Sequence, residues 1–508
     1  MSLPPVDAPD SSEKARRGTH RSTPQSRKQE MLNAPIPRTL WRMTWPMIFG
    51  IATLISFNLV DTFFISLLGT EELAAIGFTF PVTFTVISLT IGLGIGTSAV
   101  IARKLGADQD TAARHVGSSA LWLSALLVGV LSLVGFLFSR PIFALLGASA
   151  EIQILIDAYM NIWFAGAILL VIPMVGNSIL RASGDTKTPS LIMGLGGLMN
   201  AILDPLLIFG LGPFPALGMQ GAALASVISW SIGFSIILYL LIRRKRLIDP
   251  LPPSVTEFIL SSRKLLTIGL PAAGANMLTP ISLGILTAIV ATHGAPAVAA
   301  FGAGARLESM ASIVILALSM TLPPLISQNF GAGKITRVQE AYKVALRFVL
   351  LFQAAVYLVL LASLPIIQTA FAREEAVADV LAWFVIIMPL GYGVQGCIIL
   401  TNSSLNALHR PMQALLLSVL RLFVMFVPLS WLGNHLAGLL GLFIGGVIAN
   451  VLTAWMAYRW FMRLTDAERG NGHDEKKPAG AGTEMPVTEA TVAKSSATQK
   501  EGEGRYGA

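Results

Sequence analysis

The feature that most constrains this chain is a recurring pattern of apolar blocks, each about 20 residues long, which is the length of an α-helix crossing the hydrocarbon of a bilayer. A soluble domain interrupts such blocks with polar faces, and here few interruptions occur: 54% of the 508 residues are hydrophobic and 13% are charged. The pattern predicts an all-α integral membrane protein. Twelve spans are read at roughly 40–67, 73–100, 117–139, 154–180, 189–211, 218–242, 265–291, 297–327, 345–370, 378–406, 412–433 and 437–461.

Five domains follow. A basic amino-terminal tail (1–36) and a carboxy-terminal tail (463–508) are rich in small and charged residues and are expected to be disordered. Between them lie an N-lobe (37–242, spans 1–6), a cytoplasmic linker (243–264) and a C-lobe (265–462, spans 7–12). Short basic clusters such as Arg103-Lys104 and Arg243-Arg244-Lys245-Arg246 follow even-numbered spans, whereas the odd-numbered connections hold Arg140 and Arg373 beside acids such as Glu71 and Glu72. The positive-inside rule then puts both termini in the cytoplasm. It also explains the net charge of +8 without nucleic-acid binding. The single cysteine, Cys397, excludes an intrachain disulfide and a cysteine-rich metal or redox site.

Six spans on either side of the linker invite a search for a repeat. Shifting the chain by 225 residues places Pro46 on Pro271, Gly77 on Gly302, Gly106-Ala107 on Gly331-Ala332 and Asn177-Ser178 on Asn402-Ser403. Each half has an even number of spans, so the lobes share one orientation about a pseudo-twofold axis along the membrane normal, with a pathway between them.

Ionisable groups in hydrocarbon are costly, so each one there needs a reason. Asp61 in span 1 and Asp204 in span 5 lie at similar depth, about 9 Å below the outer helix ends. Asn200 is four residues before Asp204 and shares its face. Ser226 in span 6 reaches a comparable level, and Pro205 frees the carbonyl of Ala201. Two carboxylates, an amide and a hydroxyl suit a proton or a hard cation such as Na+, not zinc or copper. Two carboxyl groups in one pocket titrate as a unit, and a bound cation relieves their repulsion. Pro46, fifteen residues ahead of Asp61, makes a bend in span 1 plausible. The C-lobe does not repeat this set: Val427 precedes Pro428 where Asp204 precedes Pro205. It carries Arg306 and Glu308 in span 8 and Arg421 in span 11, near the midplane, where Glu308 is read as an ion-pair partner of Arg421 or Arg306.

The segments NLVDTFFISLLGTEELAAIGFTFPV (58–82), LRASGDTKTP (180–189), MNAILDPLLIFG (199–210), GAALASVIS (221–229) and SQNFGAGK (327–334) together resemble the multidrug and toxic compound extrusion (MATE) family, in its DinF-like branch. The resemblance spans residues 38–462. It implies a secondary active exporter of cationic or amphipathic compounds, driven by inward H+ or Na+, without a cofactor or nucleic-acid partner. By the same resemblance Asp61, Asn200 and Asp204 form the N-lobe cation site, Ser226 stands where threonine is common, and Pro46 is the bending proline. It further implies a bacterial inner membrane, with lipids as neighbours; a monomer is expected. The alternative is a flippase for lipid-linked oligosaccharide, or a metabolite exporter, of the same superfamily, which the acidic N-lobe disfavours.

Overall fold

A computed structural model describes residues 24–371 and 374–470. Arg373 and most of both tails lie outside the described residues. Eleven described helices are long and apolar enough to cross a membrane. The last of these, Pro411–Glu468, reverses direction at Ala437 (φ −146°, ψ 27°) and Gly438 (φ 60°, ψ −146°), so it supplies two spans. The total is therefore twelve. The reversal is held by close antiparallel backbones: a Cβ at Gly433 would fall 2.0 Å from the Gly441 oxygen, and one at Gly441 2.0 Å from the Gly433 oxygen. Only glycine permits that approach.

We number the membrane helices α1 (Ile36–Ser66), α2 (Thr70–Gly106), α3 (Asp110–Leu137), α4 (Ala150–Ala182), α5 (Lys187–Ile208), α6 (Gly218–Arg244), α7 (Val255–Ala291), α8 (Ala295–Ala311, then Ile313–Gly331), α9 (Ile335–Ala362), α10 (Glu375–Ala407), α11 (411–436) and α12 (438–468). The repeat is visible in the packing. Helix α1 packs on α5 of its own lobe and on the second half of α8, while α7 packs on α11 of its own lobe and on α2.

The lobes meet at the end bearing the basic clusters, called here the basic face. A Cβ at Gly106 would lie 2.0 Å from the Gln328 oxygen, and one at Gly331 2.1 Å from the Arg103 oxygen, so α2 and α8 cross backbone to backbone. Further along the same seam the hydroxyls of Thr44 and Thr321 lie 2.9 Å apart, both buried. Met47, Ile51 and Ala317 fill the space beside them. Nothing comparable joins the first half of α8 to the N-lobe among the described residues, so the two lobes diverge toward the far face.

The sequence reading needs three corrections. The tail to residue 36 is not wholly without structure: Pro24–Asn33 is a helix that spans the basic face. Arg27 pairs with Asp185 at 2.7 Å and Lys28 with Asp108 at 2.5 Å, on N-lobe loops. On the C-lobe side Asn329 donates to the Met31 carbonyl (3.1 Å) and Lys334 to the Leu32 carbonyl (3.1 Å), with Arg337 donating to Ala34. Met31 is buried against Gly184. Sequence composition could not reveal this helix, because its stability comes from these distant partners and not from its own residues. Second, α7 begins at Val255, which shortens the linker, and third, α12 continues to Glu468.

Candidate functional site

The cluster in the N-lobe is built by three helices. Residue 61 lies one turn and a half before the end of α1; α5 and α6, joined by the tight turn through Gly210 and Gly212 (φ 72° and 74°), run antiparallel beside it. A Cβ at Gly221 would fall 2.3 Å from the Leu207 oxygen, so α6 can approach α5 closely only because position 221 lacks a side chain. That approach sets the geometry. Asn200 Nδ2 donates to Asp204 Oδ1 at 3.1 Å and lies 3.3 Å from Ser226 Oγ. The carboxyl groups of Asp61 and Asp204 lie within electrostatic reach of each other. Asp204 is fully buried, whereas Asp61 is half-buried, at the edge of the cluster.

All four residues singled out from the sequence therefore converge. Asp61 Oδ1 and Asp204 Oδ2 are shut from solvent with no hydrogen-bond partner. Buried carboxylate oxygens without a donor are expensive. Such a pair is chemically incomplete: a shared proton or a small oxygen-seeking cation would satisfy both atoms. Tyr159 of α4 also lies within electrostatic reach of both acids. Sequence reasoning missed it, because a tyrosine about 14 Å into an apolar helix gives no sign of its facing until neighbouring helices are placed. Among the described residues no group of three or more His, Cys, Asp or Glu could hold a metal ion.

Pro46 is placed differently. Helix α1 runs unbroken through it, and its carbonyl accepts a hydrogen bond from Ser190 of α5. A Cβ at Gly50, one turn on, would fall 2.8 Å from the same Ser190 hydroxyl. The proline thus sits in the seam between α1 and α5 near the basic face, away from the acidic cluster.

In the C-lobe the expected ion pair is not formed. Glu308 accepts a hydrogen bond from Gln395 Nε2 at 2.8 Å, and no basic nitrogen lies within ion-pair distance of it among the described residues. Arg421 contacts Asn450 Oδ1 at 3.4 Å and faces Glu308 only at longer range. Arg306 is exposed. Spacing along the chain placed these residues at one depth but could not say which side chains reach one another.

Comparison with known proteins accords with this architecture. A family model described as MatE matches residues 46–206 and 271–432, one stretch in each lobe. A Shewanella oneidensis protein named FAD transporter is 41% identical over 444 residues, covering 87% of this chain and 98% of its own. A Staphylococcus haemolyticus protein named multidrug export protein MepA is 26% identical over 425 residues, covering 83% of this chain and 92% of its own. The crystal structure of the Vibrio cholerae MATE transporter VcmN in the bent form superposes with a TM-score of 0.82 at 34% identity, covering 89% of this chain and 100% of that one.

Proposed function

The chain belongs to the MatE family of membrane transporters, and on that premise we propose that it is a cation-coupled exporter, driven by H+ or Na+ entering at the Asp61–Asn200–Asp204–Ser226 cluster, and not an enzyme. The observation that carries the coupling is the pair of buried carboxylate oxygens without a donor, Asp61 Oδ1 and Asp204 Oδ2. The basic face is read as cytoplasmic, which makes the described conformation closed to the cytoplasm and open outward in a bacterial inner membrane, with the protein acting as a monomer.

The cluster loads from outside. A cation arriving there neutralises the repulsion between the two carboxylates and satisfies their unpartnered lone pairs, so the loaded and empty lobes differ in charge and hydrogen bonding. Helix α1 carries Asp61 at one end and Pro46 at the other, and α5 meets both: Asp204 near the far face, Ser190 at the Pro46 carbonyl. A change at Asp61 is thereby transmitted along α1 to the seam with α8, where Thr44 meets Thr321. The ion drives transport only to the extent that it binds one conformation better than the other.

For the cargo, the identity to the Shewanella protein favours a flavin dinucleotide, while the more distant MepA-type relatives favour cationic or amphipathic drugs. The first is our primary reading and the second the alternative. Proteoliposomes containing the purified protein, with FAD or a fluorescent organic cation on the side of the basic face, test both under an imposed pH gradient and, separately, an imposed Na+ gradient. Gradient-driven movement of FAD that is lost in Asp61→Asn supports the proposal; undiminished movement in Asp61→Asn overturns the coupling site. Movement of the organic cation alone selects the alternative cargo.

A further inference from the structure

We propose that Arg306, on the exposed face of the first half of α8, is the binding group for the phosphates of the cargo; this rests on the exporter reading above and names the chemistry its cargo must carry. Helix α8 has two distinct faces in its first half. Ala297, Ala300, Phe301 and Gly304 are buried. Phe301 packs edge-on against Phe384 of α10 at 6.0 Å, and a Cβ at Gly304 would fall 2.5 Å from the same ring. Ala299, Gly302, Arg306 and Ser309, at helical spacing on the opposite face, are exposed. A Cβ at Gly302 would meet no heavy atom within 4 Å. Met310, one turn beyond Arg306, is also exposed, so the face is mixed: small and polar residues and one arginine, with a single large apolar side chain at its end. A lipid-facing face would carry large apolar side chains along its whole length, and Arg306 has no place in one.

Arg306 lies about 17 Å into its helix. It has no ion-pair or hydrogen-bond partner among the described residues, and the acid two residues on, Glu308, is engaged by Gln395. An arginine at that depth is costly to place and needs a reason. Fold symmetry does not require it, because the repeat puts Pro81 at the equivalent N-lobe position and Thr83 opposite Glu308.

The backbone around the C-lobe charges is also irregular where the N-lobe is not. Helix α8 is distorted at Ser312 (φ −83°, ψ −6°) while its hydrogen bonds run on from Glu308 to Leu316; α10 is interrupted by a 3₁₀ turn at Met388–Gly391, just before Gln395; Arg421 lies in a π-helical stretch, Leu420–Phe426. Their counterparts α2, α4 and α5 run unbroken. Irregular backbone at membrane depth survives where it is buried in protein or lines a cavity, and π-helical turns recur at functional sites. The lobes are thus electrostatically opposite: two carboxylates in one, two guanidinium groups against one carboxylate in the other. A guanidinium presents two parallel N–H groups to phosphate oxygens, and away from bulk water that contact is strong. Organic cations would be repelled from this face.

The test is equilibrium binding of FAD, FMN and riboflavin to the full-length protein in nanodiscs of zwitterionic lipid, read by flavin fluorescence, for wild type, Arg306→Gln and Arg306→Lys. These probes share the isoalloxazine ring and differ in phosphate. We expect Arg306→Gln to weaken FAD by about tenfold or more while riboflavin changes by less than about twofold, with Arg306→Lys in between. Equal weakening of all three flavins would assign Arg306 to structure and overturn the proposal, as would unchanged FAD binding. Absence of phosphate-dependent binding in the wild type also overturns it, whereas Asp61-dependent cation export by the same preparation would leave the exporter reading standing.

Discussion

Replacing Asp185 with Asn should loosen the closed basic face without unfolding the protein. Asp185 is 3% exposed and receives Arg27 at 2.7 Å and Lys245 at 2.8 Å, while Thr188 binds it through its N–H and hydroxyl. The asparagine keeps the shape and can still accept from Thr188, but it leaves two cations facing a neutral group. Removing one partner of a buried pair costs about 3–5 kcal/mol. The two basic side chains are 16% and 17% exposed, so water screens part of this, and about 2–3 kcal/mol is a fair expectation. Because Arg27 belongs to the helix anchored on Asn329, Lys334 and Arg337 across the seam, that energy is lost chiefly from the closed state. The population of the state open at the basic face should then rise by roughly 30- to 150-fold. Thr321→Cys reports it, since Thr321 is buried in the seam. With the single native cysteine removed as Cys397→Ala, the rate of maleimide labelling at position 321 should increase by a comparable factor in Asp185→Asn. Asp249→Asn is the control: its pair with Arg114 lies wholly on the N-lobe side and is more exposed. Unchanged labelling in Asp185→Asn, or an equal rise in the control, would refute the bridge.

Further outcomes follow from the same geometry. Burial alone would raise the Asp185 carboxyl, but Lys245 and Arg27, with Thr188, hold it below its ordinary value of 3.8. Its stabilisation is therefore present above that value and lost only as pH falls through the lower folded one, so labelling at position 321 should not change between pH 5 and 8 on its account. His409, beside the basic face, is pushed from 6.5 down to about 4 by burial and by the nearby Arg103, against the opposing hydrogen bond to the Ala99 carbonyl. The neutral ring is the folded form; its contribution is complete above pH 6.5 and declines as pH falls toward 4, by at most about 3 kcal/mol. Thermal unfolding across that interval should show the loss in the wild type and not in His409→Asn, a residue that accepts the local φ of 60°. Gly92→Ala should lower the unfolding temperature, because the new Cβ would lie 2.3 Å from the Gly269 oxygen between α2 and α7, a penalty of about 1–3 kcal/mol. Asn200→Ala should reduce gradient-driven transport more than Ser226→Ala, since it removes the donor to Asp204 as well as the contact with Ser226, and equal effects would count against Asn200 as the organiser.

The membrane helices were legible because the hydrocarbon imposes one length on every span, and that signal survives the distortion in α8 and the reversal at Ala437–Gly438. The acidic cluster was legible for a related reason: Asp61 and Asp204 are conspicuous in hydrocarbon, and helical rise fixes their depth. What the residues do not encode locally was missed. Tyr159 comes within reach of the acids through the packing of α4, and the helix Pro24–Asn33 exists through contacts with residues about 80 to 300 positions away. The reading of Glu308 as an ion-pair partner failed because two charges at one depth still need facing side chains, and Gln395 of α10 takes the carboxylate instead.

The segments that lead into the two lobes are crossed over. The helix before α1 reaches past its own lobe to Asn329, Lys334 and Arg337 of the second, while the stretch before α7 docks on the first, with Ile248 against Gly117 and the Asp249 backbone bonded to Ser118. Each half of the molecule is thus buckled by the strap of the other. A chain cut between Asp249 and Val255 and produced as two fragments should reassemble less completely when the first fragment lacks residues 24–33, and a fusion partner placed just ahead of Pro24 would pull directly on the buckle.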